Sequence, residues 1–293
     1  MKRAAGSVGL VVMMMSLAAW ANPQASGQPA AQTPPASTPA PGATPGAPVA
    51  KRPPQAKTQP EFDAYNTAKA NTDPAALEKA SEDFATKFPD SELRVLLYKN
   101  AMRVYQNANN ADKTEAMGRK VLAFDADDPE ALVIVAEVIS ERTRDSDIDK
   151  DQRYSEATTM AQKATKTVDT DVQVTAGTPQ DKIDTYKALL RSNAFSILGT
   201  IEFKKDNFAA AQEDLQKSID AYPSNPDPVV VLRLALTLDK EGKYPEALKL
   251  ANRAVEMTQD NTPIGTPARH ERDRLQQLTG GAAPPAVPTA PKN

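Results

Sequence analysis

Between Asp145 and Glu156 the chain sets carboxylates at the first, third, fifth, seventh and twelfth places of a 12-residue window: Asp145, Asp147, Asp149, Asp151 and Glu156. That is the ligand spacing of an EF-hand calcium loop, where hard carboxylate oxygens enclose a hard cation. Two residues depart from it. Lys150 stands where such a loop needs glycine for a sharp turn, and it brings a positive charge. Gln152 replaces the apolar residue through which such loops pair. The plainer reading is an acidic, solvated turn that caps a helix starting near Gln152, because aspartate favours that position. Calcium is kept as the alternative.

Other chemistry lacks its parts. The chain has no cysteine, which removes disulfides, thiol catalysis and thiolate metal sites together. His270 is the only histidine, set in a charged stretch, so no His-Glu-x-x-His pair exists. No glycine-rich phosphate cradle is present. A hydrolase working with carboxylates alone is the one enzymatic alternative, and no carboxylate pair stands in a recognisable pocket context. No catalytic residue, cofactor or resident metal is expected.

Charge and composition divide the chain. Residues 22–60 hold 11 of the 25 prolines and are otherwise mostly Ala, Gly, Thr, Gln and Ser. Such a stretch has little to bury and cannot offset the entropy of ordering it, so it reads as a disordered spacer. Residues 280–293 repeat the pattern as a tail. The foldable part is 61–279, with 29 basic residues against 38 acidic ones. An acidic body argues against nucleic acid or an anionic membrane surface as the main partner.

The N-terminus has the form of an export signal. Met1-Lys2-Arg3 is basic, Leu10 to Ala19 is apolar apart from Ser16, and Ala19-Trp20-Ala21 puts small residues where a signal peptidase reads. Cleavage after Ala21 is expected, giving a periplasmic or secreted protein without a transmembrane anchor. The apolar run is shorter than the ~20 residues that span a bilayer.

The body is built from helical periods. Over 192–225, Gly199, Ala211 and Pro223 are spaced by 12 residues, and Asn207-Phe208 falls at a turn. Phe208, Ala211, Leu215, Ile219 and Tyr222 recur at three to four residues, the period of one helical face. Small residues suit a crossing of paired helices, and proline cannot continue a helix. A second unit runs from Asp227 to Lys240 and on through Tyr244, Ala247, Leu248, Ala251 and Val255. Earlier units centre on Ala116 and Ala157, with insertions around 143–151 and 168–179. Asp181 to Lys204 reads as one long helix, Arg269 to Gln277 as a polar cap, and Leu77, Ala80, Phe84 and Phe88 as half a pair.

This pattern resembles the tetratricopeptide-repeat (TPR) family over about residues 75–258. The resemblance implies an all-α, right-handed superhelical array of antiparallel helix pairs, a TPR solenoid, whose first helices line a concave groove for a protein or peptide. By position in the matching repeats the groove residues would be Tyr98, Met102, Tyr105, Asn193, Ser196, Thr200, Phe203, Leu232 and Leu236. The family's charged clamp for acidic C-terminal tails is absent. The implied function is an exported, non-catalytic scaffold or adaptor in the cell envelope. Phe88-Pro89-Asp90-Ser91 is also similar to repeats of outer-membrane assembly and cell-division TPR proteins, which makes an accessory role there the alternative. Oligomeric state is left open.

Overall fold

The computed structural model describes residues 51–173 and 177–280, and all regular structure among them is helical. The elements are α1 (Gln59–Lys69), α2 (Pro74–Lys87), α3 (Arg94–Asn107), α4 (Ala111–Phe124), α5 (Pro129–Arg142) and α6 (Lys150–Thr167). They continue as α7 (Gln180–Lys204), α8 (Phe208–Ala221), α9 (Pro228–Lys240), α10 (Tyr244–Glu256) and α11 (Gly265–Leu278). The expected export signal, most of the spacer and the tail beyond Gly280 lie outside the described residues.

Local chemistry sets the helix ends. Asp73, Asp128 and Asp227 each precede a proline, and each carboxylate accepts from a backbone N–H in the first turn of α2, α5 or α9. The aspartate satisfies a donor the helix leaves free, and the proline sits where no N–H is needed. Within three of the pairs the turn is short and reuses one conformation: Asn109, Asp206 and Gly242 all take positive φ, at 54°, 59° and 74°. Asparagine, aspartate and glycine are the residues that tolerate it.

The helices pair in sequence: α1 with α2, α3 with α4, α5 with α6, α7 with α8, α9 with α10, and α11 caps the end. Each second helix also packs on the next first helix. First helices meet one another, α1 on α3, α5 on α7 and α7 on α9, so they form the inner layer. Gly199 shows why the α7–α8 crossing needs a small residue: a Cβ there would stand 2.6 Å from Leu215 Cγ. The core runs in clusters along the array. One joins Val135, Ile139, Tyr154, Ala161 and Ile201; another joins Leu215, Val231, Leu234, Ala251 and Leu275.

Two expectations change. Leu77 and Phe84 belong to α2, with Phe88 as its C-cap, and the partner of α2 is α1, so the array opens with a full pair rather than half of one. Only Glu61 and Ala68 of α1 are buried, so its sequence carries almost no apolar period to read. The spacer expected to reach residue 60 also ends earlier. Lys51–Lys57 lies against the array through ion pairs and hydrogen bonds, and α1 starts at Gln59.

Candidate functional site

The inner layer presents polar side chains at helical spacing. On α3 they are Lys99 and Arg103; on α5, Glu130, Glu137 and Glu141; on α7, Tyr186, Asn193, Thr200 and Lys204; on α9, Arg233. Steps of four and seven keep each set on one stripe.

At the N-terminal end these groups close on one another. Lys99, only 6% exposed, pairs with Asp128 at 2.6 Å and Glu130 at 3.1 Å. Arg103 grips Glu130 with two bonds, Nε at 2.5 Å and Nη2 at 2.6 Å. Burial alone would raise the Glu130 pKa, but Lys99 and Arg103 outweigh it and hold the carboxyl at about 2. Burial and the Glu130 charge push the Tyr186 phenol well above its ordinary range. The ion pairs among Lys99, Arg103, Asp128 and Glu130 tie α3 to α5.

Further along, the same residue types stay open. Glu137 has no cation against it; burial, then the charges of Glu141 and Asp227, lift its pKa to about 8. Burial raises Glu141, with Arg233 and Lys204 opposing from a distance. Burial lowers Arg233, with Asp227 and Glu141 opposing, and lowers Lys204, reinforced by Arg233. Arg233 Nη1 donates to Thr200 Oγ1 at 2.7 Å, and Lys204 Nζ donates to the Ser140 carbonyl at 2.5 Å. Among the described residues, no ion pair closes between these carboxylates and cations. The arrangement can receive both an anionic and a cationic group of a ligand.

The groove residues expected from repeat position divide. Tyr98, Met102 and Tyr105 are 3%, 0% and 5% exposed. The Tyr98 hydroxyl donates to Glu82 at 3.0 Å, and Tyr105 donates to Glu78, both on α2. Tyr98 also stacks on Phe124 with ring centres 5.7 Å apart. These three are corrected to packing residues: α3 turns its aromatic side toward α2 and α4 and its Lys99–Arg103 side to the inner face. Leu232 is buried in the core, with Leu236 half-buried against it. Phe203 meets Phe208 of its own pair edge-on, 5.7 Å between centres. Thr200 is buried but reaches the open cluster through Arg233. Asn193 and Ser196 are half-exposed, and Asn193 shares the Tyr186–Thr200 stripe.

Repeat position missed Glu137, Glu141, Lys204 and Arg233. Their signal was present as charge inside apolar helices. Arg233 is the sole charge between Pro228 and Leu238, and α5 is apolar between Glu130 and Glu137.

The acidic window takes another form than a calcium loop. Lys150 to Glu156 is already helix α6, so the second half of the loop cannot curve round an ion. Asp147 accepts from the Arg144 N–H at 2.9 Å, Asp145 lies 3.8 Å from Lys150, and Glu156 pairs with Arg119 at 2.6 Å. Asp149 and Asp151 are exposed at the start of α6. Among the described residues no group of carboxylates and His converges enough to hold a metal. Exposed His270 lies on α11. No described helix is long and apolar enough to cross a membrane.

No protein-family model and no curated protein matches the sequence. Solved structures do match by shape. PilF of Pseudomonas aeruginosa aligns with TM-score 0.53 at 18% identity, over 76% of this chain and 87% of that one. MamA aligns at 0.47 and 17% identity, over 67% and 88%. YrrB, described as a TPR protein with an unusual peptide-binding site, aligns at 0.44 and 18% identity, over 69% and 86%. With its sequential antiparallel pairs and inner layer of first helices, the chain has the fold of the tetratricopeptide-repeat proteins.

Proposed function

We propose that this protein is an exported, non-catalytic scaffold of the cell envelope that binds a protein or peptide on the inner face of the array, over α5, α7 and α9. The observation that carries this is the pair of part-buried cations Lys204 and Arg233, which have no close counter-ion and stand near Glu137 and the exposed Glu141. Cations held part-way out of water without a close counter-ion are costly, and a ligand bringing carboxylates relieves that cost. The ligand class that fits is an extended or helical segment with acidic and basic side chains close together. The basic, apolar and small-residue segments of Met1–Ala21 support export. The mass of the protein recovered from its host tests this, since a chain beginning at Asn22 is expected.

Catalysis by carboxylates finds no support in the pair that comes nearest to it. Glu137 and Glu141 stand one turn apart, but both are raised by burial. Acid–base work needs two groups pushed in opposite directions.

The test is capture from envelope extract by the immobilised full chain and by a Lys204→Ala/Arg233→Ala variant of equal helicity. A partner enriched by the parent and lost in the variant is the expected result. Equal recovery by both removes the inner-face assignment.

A further inference from the structure

The basic segment ahead of α1 is already a seated peptide. Lys51 Nζ lies 2.5 Å from Asp125 and 3.8 Å from Asp171, and its N–H donates to the Thr170 carbonyl at 3.2 Å. Arg52 Nη2 reaches both oxygens of Glu92, at 2.7 and 2.9 Å. The Gln55 N–H donates to Glu92 at 3.3 Å. The acceptors come from separate junctions: Glu92 follows α2, Asp125 follows α4, and Thr170 and Asp171 follow α6. One short stretch thus crosses three consecutive junctions along one edge of the array. Beneath it is an open cleft of about 430 Å³, lined in part by Arg94, Val95, Phe124 and Gln173.

The segment has a fixed root and a loose tip. At the root, Ala56 packs on the cluster of Ala68, Phe84, Leu93 and Leu97. The Lys57 N–H donates to Glu61 at 2.7 Å, and Ser91 Oγ donates to the same carboxylate at 2.5 Å. At the tip, the Arg52–Glu92 pair is ionic and solvent-facing, 60% and 42% exposed, while Lys51 adds a half-exposed ammonium on Asp125 and one backbone hydrogen bond. Exposed pairs of this kind are worth little each and weaken in salt. On release Asp125, 6% exposed, loses its ion pair but keeps the Gln173 amide at 3.2 Å and the Asp127 N–H at 3.3 Å. Pro53 and Pro54 hold the tip extended, which lowers the entropy of seating it.

We propose that the acidic rim of Glu92, Asp125 and Asp171 is a docking seat for an extended segment bearing adjacent basic residues followed by proline, and that Lys51–Gln55 of the same chain is its resident, displaceable occupant. An incoming segment of that chemistry competes with the strap, at an edge distinct from the open inner cluster.

The full chain has no cysteine, so Pro53→Cys with Ala126→Cys gives two clean label sites for a distance measurement. A single short distance is expected at low salt. It should broaden at about 1 M salt, where the Debye length falls to about 3 Å. Adding Lys51→Glu/Arg52→Glu should broaden it at every salt, and the exchanged pair Arg52→Glu/Glu92→Arg should restore much of the short population. A labelled peptide with the sequence of residues 51–58 should bind the Lys51→Glu/Arg52→Glu chain several-fold more tightly than the parent. Glu92→Lys/Asp171→Lys in that variant should abolish the binding. A broad distance in the parent at low salt overturns the proposal. So does a short one indifferent to salt and charge reversal, or equal peptide binding to both chains. A short distance that appears only in a dimer, with strands exchanged between copies, overturns the assignment to the same chain.

Discussion

Glu130 and Glu137 stand seven residues apart on one stripe of α5, and they meet opposite fates. Glu130 is enclosed by Lys99 and Arg103 and held at about 2. Burial, and then like charges for neighbours, lift Glu137 to about 8. The N-terminal part of the inner face therefore uses its ion pairs to join α3 to α5, whereas over α5, α7 and α9 Lys204 and Arg233 have no close counter-ion and Glu137 keeps its proton at neutral pH. Charged side chains on an inner face are thus of two kinds, and those without a counter-ion have more to offer a charged ligand.

The largest effect should come from breaking the closed end. Glu130→Ala leaves Lys99 buried with half of its counter-charge and should cost about 3–5 kcal/mol. Glu137→Gln, on the same stripe, should be neutral or stabilising at neutral pH. Urea unfolding of both variants measures the contrast, and equal losses would erase it.

Next comes pH. The folded pKa of Glu137 is raised above its ordinary 4.5, so its contribution is fully present below about 4.5 and is lost as pH rises through about 8. The folded pKa of Glu130 is depressed, so its contribution is present above about 4.5 and is lost as pH falls toward 2. Thermal melts should show Glu137→Gln gaining on the parent as pH rises from about 4.5 to about 8, the interval between the ordinary and the folded pKa. Parallel curves across that range would contradict the environment assigned to Glu137.

Smaller still is the stability effect of opening the other end further. Lys204→Ala and Arg233→Ala should each change stability by less than about 1.5 kcal/mol, since each removes one hydrogen bond, and for Lys204 also an ammonium 5.7 Å from the Tyr154 ring centre, together with a desolvation cost. Their effect on ligand capture should be large. The smallest change in capture is expected at the aromatic residues of α3. Tyr98→Phe and Tyr105→Phe each remove a hydroxyl bond to a carboxylate of α2, worth up to about 1.5–3 kcal/mol, and should leave capture untouched. Loss of capture in either would return the groove to α3.

Much of the architecture was legible in the sequence because helix periods and small crossing residues are local signals. The 12-residue steps from Gly199 to Ala211 to Pro223 pointed to the α7–α8 pair and its end, and the long helix over 181–204 appears as α7. α1 was not legible as a partner for α2, because it buries little beyond Ala68 and the Glu61 carboxylate. The inner face was harder. Tyr98 and Tyr105 looked like ligand residues because repeat position places them on a first helix. Which way that helix turns depends on Glu78 and Glu82 of α2, contacts made across the fold. Lys204 and Arg233 become meaningful only when α5, α7 and α9 are side by side, since neither helix reveals alone that no counter-ion comes near.

The most direct test is site-specific photo-crosslinking in the full chain, expressed in its own host. One crosslinker replaces Lys240, seven residues beyond Arg233 on α9; a second replaces Asn107, four beyond Arg103 on α3. A protein adduct from position 240 and none from 107 is the predicted result. Adducts from 107 alone, or from neither position, would contradict a ligand site on the open part of the inner face.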